Sequence, residues 1–280
     1  MKTILRTFVG CTAILFGTAC MGAVKYVPEN MKVELSLKVP GNNAVNYKLH
    51  PDKLENSYFD YEWRSDNKLP ITVFHKVEER DSCMRLTVQL TAAQDVYFNY
   101  RQLLSTGYRH DNCQFYMPGF WYRRNLRSPK KAPSFHTSDS WLVREDRLSA
   151  PLTGIFSEKE KRFMTVNRLD DFSMDALATH KEGEIILSGK TSLGFTGFEN
   201  QQGIAMLSFG FPYREAPKSY IRKLTLAPEV EAFQLMKKGE SVLLTWEIME
   251  SGADDFSDFI QHTWEHMIPM HQNLWRIHIL

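Results

Sequence analysis

From residue 31 onward, short runs in which apolar and polar side chains alternate with period two follow one another, as in Lys32-Val33-Glu34-Leu35-Ser36-Leu37-Lys38-Val39. Successive side chains of a strand point to opposite faces, so such a run buries one face and wets the other. Similar runs occupy 70–77, 84–90, 96–104, 140–144, 163–168, 184–189, 204–211, 220–226 and 241–249. Turn-forming residues separate them, notably Pro40-Gly41-Asn42-Asn43, Ser65-Asp66-Asn67, Pro118-Gly119 and Lys237-Lys238-Gly239-Glu240. No amphipathic helix lies between strands before residue 250, whereas parallel strands would need long crossovers. The pattern therefore predicts an all-β fold, a large antiparallel β-sandwich.

After Ser251-Gly252-Ala253 the period changes to that of a helix, with Phe256, Phe259, Ile260, Trp264 and Met267 on one face. Asp254 and Asp255 stand at its start, where carboxylates meet the positive end of the helix dipole. A short C-terminal α-helix docking on the sandwich is expected.

The N-terminus follows a third pattern. Lys2 and Arg6 precede an uncharged, apolar-rich run from Thr7 to Ala19, too short for a membrane span, which needs roughly 20 apolar residues. Charge, run and the small residues Gly17 and Ala19 read as an export signal. Cys20 follows Gly17-Thr18-Ala19 and resembles a lipobox, whose cysteine is lipidated, although Gly17 stands where Leu is usual; an ordinary cut nearby would leave no anchor. The expected organisation is a signal peptide at 1–23, a β-sandwich at 24–252 and a helix with tail at 253–280. The protein would work in the periplasm or as a lipoprotein of the cell envelope.

Of the four cysteines, Cys83 and Cys113 fall in the folded part. An oxidising compartment permits a bridge between them, with two separate buried thiols as the alternative. The 280 residues carry 34 basic and 33 acidic side chains, a net charge of +1, which gives no general attraction to nucleic acid. No nucleic-acid partner, cofactor or metal is expected.

Motifs for catalysis do not survive inspection. His262-Thr263-Trp264-Glu265-His266 has the His-x-x-Glu-His form of inverted zinc peptidases, but a further ligand is expected well downstream and the histidines lie at the edge of the apolar face. Gly189-Lys190-Thr191 lacks the glycine spacing and the helix that a phosphate loop requires. There is no Gly-x-Ser-x-Gly nucleophile. Asp139, Glu145, Asp146, Asp170 and Asp171 could supply a carboxylate pair for glycoside hydrolysis, though surface positions are the ordinary reading of each.

The least ordinary stretch, 108–147, interleaves aromatic with basic residues. Flat rings can stack on sugar faces, and arginine can grip carboxylate or sulfate through paired hydrogen bonds. Trp121, Tyr122, Arg123, Arg124, Trp141, Arg144, Glu145 and Asp146 are accordingly candidate binding residues for a polysaccharide or oligosaccharide, an acidic one included; the alternative places the rings in the core and 123–131 in a solvated loop.

Phe115-Tyr116-Met117-Pro118-Gly119-Phe120-Trp121-Tyr122-Arg123-Arg124-Asn125, Ser140-Trp141-Leu142-Val143-Arg144-Glu145-Asp146-Arg147 and Ser208-Phe209-Gly210-Phe211-Pro212-Tyr213 together resemble the N-terminal β-sandwich of large exported carbohydrate-active proteins, glycoside hydrolase-like, from gut polysaccharide-degrading bacteria. In those proteins a helical toroid carrying much of the active site follows the sandwich, and 254–266 looks like its first helix. The resemblance implies a module that supports polysaccharide binding or degradation without catalysing alone. It leaves as alternatives a complete glycan hydrolase or lyase, with acidic residues in a sandwich groove, and a structural envelope module that binds proteins.

Overall fold

The computed structural model describes residues 27–55, 60–80, 83–126, 133–173, 183–217, 220–222, 225–226 and 229–275. Residues 1–23, with the expected export signal and Cys20, and residues 127–132 of the basic loop lie outside them. In chain order the strands are β1 (Met31–Lys38), β2 (Val45–Lys53), β3 (Asp60–Arg64), β4 (Ile71–Glu79), β5 (Cys83–Ala92), β6 (Val96–Arg109), β7 (Cys113–Met117), β8 (Trp121–Arg123), β9 (Trp141–Arg144) and β10 (Leu152–Ser157). They continue with β11 (Arg162–Arg168), β12 (Gly183–Ile186), β13 (Phe195–Gln201), β14 (Ile204–Phe211), β15 (Arg214–Glu215), β16 (Tyr220–Arg222), β17 (Thr225–Leu226), β18 (Val230–Met236) and β19 (Ser241–Gly252), and helix α1 (Phe256–Trp275) follows.

Two antiparallel sheets face each other. One runs β2-β1-β6-β14-β13-β9. The other runs β2-β3-β4-β5-β19-β11-β10-β7-β8, so β2 belongs to both and turns the corner between them. The alternation seen in the sequence is the reason: Val33 and Leu35 from β1, Phe98 and Tyr100 from β6 and Phe209 from β14 meet Val73, Leu86, Val88, Trp246 and Ile248 from the opposite sheet. The Phe209 and Trp246 rings lie 5.2 Å apart in this layer. One pair departs from the antiparallel expectation, since β12 runs parallel to β18. The predicted single strand over 220–226 is instead the short pair β16 and β17.

Strand β10 shows no alternation because both of its faces are covered. Its outer face belongs to a second apolar layer, in which Tyr116, Leu152, Phe156, Phe163 and Met249 receive Phe256, Phe259 and Met267 of α1. The helix forms where its pattern predicts. Asp255 Oδ1 accepts the amides of Ser257 and Asp258 at 2.7 and 3.0 Å, and these bonds hold its carboxyl below the ordinary range. Gly154 makes the close approach possible: a Cβ there would stand 2.5 Å from Phe259 Cζ. Among the described residues no helix is long and apolar enough to cross a membrane.

Cys83 and Cys113 are separate buried thiols, not a bridge. Cys83 opens β5 under the helix, whereas Cys113 opens β7 and donates its thiol to the Arg109 carbonyl at 3.2 Å.

Candidate functional site

The aromatic and basic segment divides into three environments. Trp121 and Trp141 are fully buried, their rings 5.7 Å apart. With Phe115, Phe135 and Phe198 they plug one end of the sandwich, Phe115 stacking on Phe198 at 4.0 Å. Their indole N–H groups are satisfied by the Arg123 and Ser138 carbonyls, each at 2.9 Å. A ring enclosed on both faces cannot stack on a sugar, so these two are core residues.

Arg144, Glu145 and Asp146 form part of a buried ionic lattice. Arg144 donates to both Asp146 oxygens at 2.7 and 3.0 Å and lies over the Tyr213 ring. Glu145 accepts Arg168 Nη1 at 2.6 Å and the Gly194 amide at 2.7 Å. Arg168 also reaches Asp170, which in turn accepts the Thr245 amide at 2.8 Å. Burial pushes the Glu145 carboxyl up, with Arg168 opposing it. A Cβ at Gly194 would approach the Gly210 carbonyl to 2.5 Å, so the chain closes over this pair only with glycine. The lattice joins the turn after β9 to the end of β11 and to the Gly194 amide just before β13, and the side chains of Arg144, Glu145, Asp146 and Arg168 are buried within it.

Tyr122, Arg123 and Arg124 remain at the surface. Arg123 lies over the Phe256 ring at 5.2 Å, and Arg124 is held by the Cys113 and Asp111 carbonyls and by the Phe135 face. Tyr122 is half exposed beside Tyr116, whose hydroxyl accepts the Trp264 indole N–H at 2.9 Å. The arginine contacts are therefore already made within the chain.

The His-x-x-Glu-His motif is taken apart by the helix. His262 faces Asp258 and the Gly252 carbonyl, His266 faces Glu247, and Glu265 pairs with Gln261. The two histidines do not converge.

A different concavity is open. Where the β1–β2 and β5–β6 turns and the end of β18 gather, a cleft of about 530 Å³ has Leu37, Tyr47, Val96, Tyr97 and Leu235 as its apolar lining. Lys38, Gln94, Asp95 and Lys237 supply its polar groups. Strand register sets the two tyrosines on opposite faces of the sheet, so the cleft wraps its end: Tyr97 shares a face with Lys38 and Leu235 across the two flanking pairs, whereas Tyr47 stands opposite Leu35 on the core side. Val39 and Val45 are exposed large apolar side chains at its shoulder. Lys237 Nζ meets Asp95 at 2.7 Å, and Lys38 Nζ meets Glu184 at 2.5 Å. The Lys237 hydrogen bond, helped by the Lys238 amide, holds the Asp95 carboxyl below its ordinary range. Asp95 is therefore an acceptor, not an acid, near neutral pH.

Sequence reasoning passed over these residues. The turns at 40–43 and 237–240 were visible, but their convergence with the turn at 93–95 is a product of the topology.

No protein-family model matches the chain, and no curated protein matches it. Several solved structures do. A polysaccharide lyase is 14% identical over 80% of this chain, with a TM-score of 0.36, and the chain spans 26% of its length. A protein of Synechocystis sp. PCC 6803 is 7% identical, with a TM-score of 0.38 over 77% of this chain and 73% of that one. An aldose 1-epimerase-like protein of Escherichia coli K12 is 7% identical, also at 0.38, over 78% of this chain and 79% of that one.

Proposed function

We propose that the chain is an exported β-sandwich module that binds a polysaccharide or oligosaccharide and supports its handling without catalysing its cleavage alone. The observation that carries this reading is the open cleft holding Tyr47 and Tyr97 beside Gln94, Asp95 and the two lysines. Tyrosine rings accept the C–H faces of sugars, and the polar groups satisfy the hydroxyls around those faces. Asp95 accepts from a hydroxyl, while Gln94 both donates and accepts.

The charge of the cleft favours a neutral glycan. Lys38 and Lys237 are each compensated by a carboxylate, so a second anion on the ligand would compete with Glu184 or Asp95. This moves the sugar site away from Trp121 and Arg124, and with it the expectation of an acidic ligand. Among the described residues that line the cleft Asp95 is the only carboxylate, whereas glycoside hydrolysis ordinarily uses two, one of them protonated. Binding is the activity assigned to it.

Affinity electrophoresis through gels cast with neutral and acidic glycans, run beside a reducing-sugar assay on the same panel, tests the proposal. Retardation by a neutral glycan without sugar release is the expected result. Release of reducing ends would favour the hydrolase, and absence of retardation by every glycan would favour a protein-binding envelope module.

A further inference from the structure

On the outer face of the β5–β19 pair, beneath the far part of α1, three metal-ligating side chains meet. Cys83 comes from the first position of β5, Glu247 from β19 and His266 from the helix. One donor atom from each lies within 4.8 Å of the others, and His266 Nε2 stands 2.8 Å from Glu247 Oε1. Ligand bonds of about 2.0–2.3 Å in a tetrahedral zinc site place neighbouring donors roughly 3.3–3.6 Å apart, so small side-chain adjustments suffice.

A second observation also points to a ligand. Glu247 is 2% exposed, and its other oxygen, Oε2, is buried without a hydrogen-bond partner among the described residues. An unsatisfied buried carboxylate oxygen is costly, and folding the helix over it adds nothing that satisfies it. We propose that Cys83, Glu247 and His266 form a binding site for one divalent cation of the zinc class.

Thiolate with imidazole selects zinc and its neighbours over calcium or magnesium. Three protein ligands leave a fourth position, as in catalytic zinc sites, and among the three the His266 side chain is the one that reaches the surface, at 20% exposed. As the metal bonds form, the Cys83 thiol releases its proton to solvent, and the Nε2 proton that His266 shares with Glu247 leaves that nitrogen, so that the imidazole binds neutral with its one proton on Nδ1. Thiolate and carboxylate then carry two negative charges that cancel the ion's two positive ones.

The test uses the chain freed of metal by chelation and titrated with cobalt(II), in a background with Cys11, Cys20 and Cys113 all changed to Ser so that Cys83 is the sole thiol. The expected result is one equivalent bound, a near-ultraviolet sulfur-to-cobalt charge-transfer band, intense tetrahedral visible bands and displacement by zinc. Cys83→Ser should abolish the charge-transfer band, and His266→Gln should weaken binding at least about tenfold, since even outer-shell partners are worth about 10–100-fold. If the triple-serine background fails to fold, His266→Gln and Glu247→Gln in the otherwise unchanged chain give the same reading by loss of affinity. Absence of saturable binding, or binding unchanged in Cys83→Ser and His266→Gln, would overturn the assignment.

Discussion

Acid should unfold this protein through one histidine. His75 of β4 is fully buried between the sheets, its ring 5.0 Å from Trp63, and its Nε2 shares a 2.6 Å hydrogen bond with the Tyr100 hydroxyl of the opposite sheet. Burial lowers its pKa from 6.5 to about 3, so the native imidazole stays neutral while the unfolded one protonates. The folded pKa lies below the unfolded one, so the unfolded state binds more protons across the interval and stability falls as pH drops from about 6.5 toward 3. At about 1.36 kcal/mol per pKa unit, the loss is roughly 2 kcal/mol by pH 5 and approaches about 5 kcal/mol at the acid end. Urea unfolding at a series of pH values measures it. His75→Gln keeps a partner for Tyr100 but does not titrate, so the difference between the two stability curves isolates His75 from Glu145, whose carboxyl burial pushes up, and His110, whose imidazole burial pushes down. The wild-type curve should fall more steeply by that amount. Parallel curves, or a His75 imidazole that titrates near 6.5 in the folded protein, would refute the reasoning.

Other perturbations follow from the packing and the ionic lattice. Trp121→Ala should cost about 3–5 kcal/mol in chemical unfolding, while the folded fraction retains its glycan affinity, because the ring fills the end of the core. Arg168→Met leaves Glu145 buried without its cation and should cost about 3–5 kcal/mol; part should return as pH is lowered and Glu145 protonates, which a pH series of unfolding curves would show. Gly154→Ala should cost about 1–3 kcal/mol and expose α1 to limited proteolysis, with Phe259→Leu restoring part of the loss, since the added methyl meets the Phe259 ring.

The alternation in β1, β4 and β5 made the sandwich legible, because each has one face in the core and one largely facing water or the edge. Strand β10, Leu-Thr-Gly-Ile-Phe-Ser, was hidden because the helix covers its second face and removes the alternation. Strand β2 was hidden for the opposite reason, since most of its residues are exposed and Pro51 interrupts the apolar signal. The helix was read correctly from Phe256, Phe259 and Met267, which are the residues it buries.

The site was less legible than the fold. Composition shows that rings and arginines are dense between 108 and 147, but not which side of a strand each occupies. Trp121 and Trp141 went inward, and Glu145 was carried into the interior by Arg168, a residue read only as the end of another strand. Tyr47 and Tyr97 come from different hairpins, and Cys83, Glu247 and His266 from three distant segments; no spacing rule links them. The export signal stays an expectation of the sequence, because it lies outside the described residues.

Isothermal titration of the glycan that most retards the protein, against wild type, Tyr47→Ala, Tyr97→Ala and a Tyr122→Ala, Arg123→Ala double variant, tests the cleft most directly. Each cleft variant should lose about tenfold in affinity, equivalent to about 1.4 kcal/mol, with melting curves close to wild type, and the double variant should bind normally. Full affinity in both cleft variants, with loss in the double variant, would contradict the account and return the site to the edge of α1.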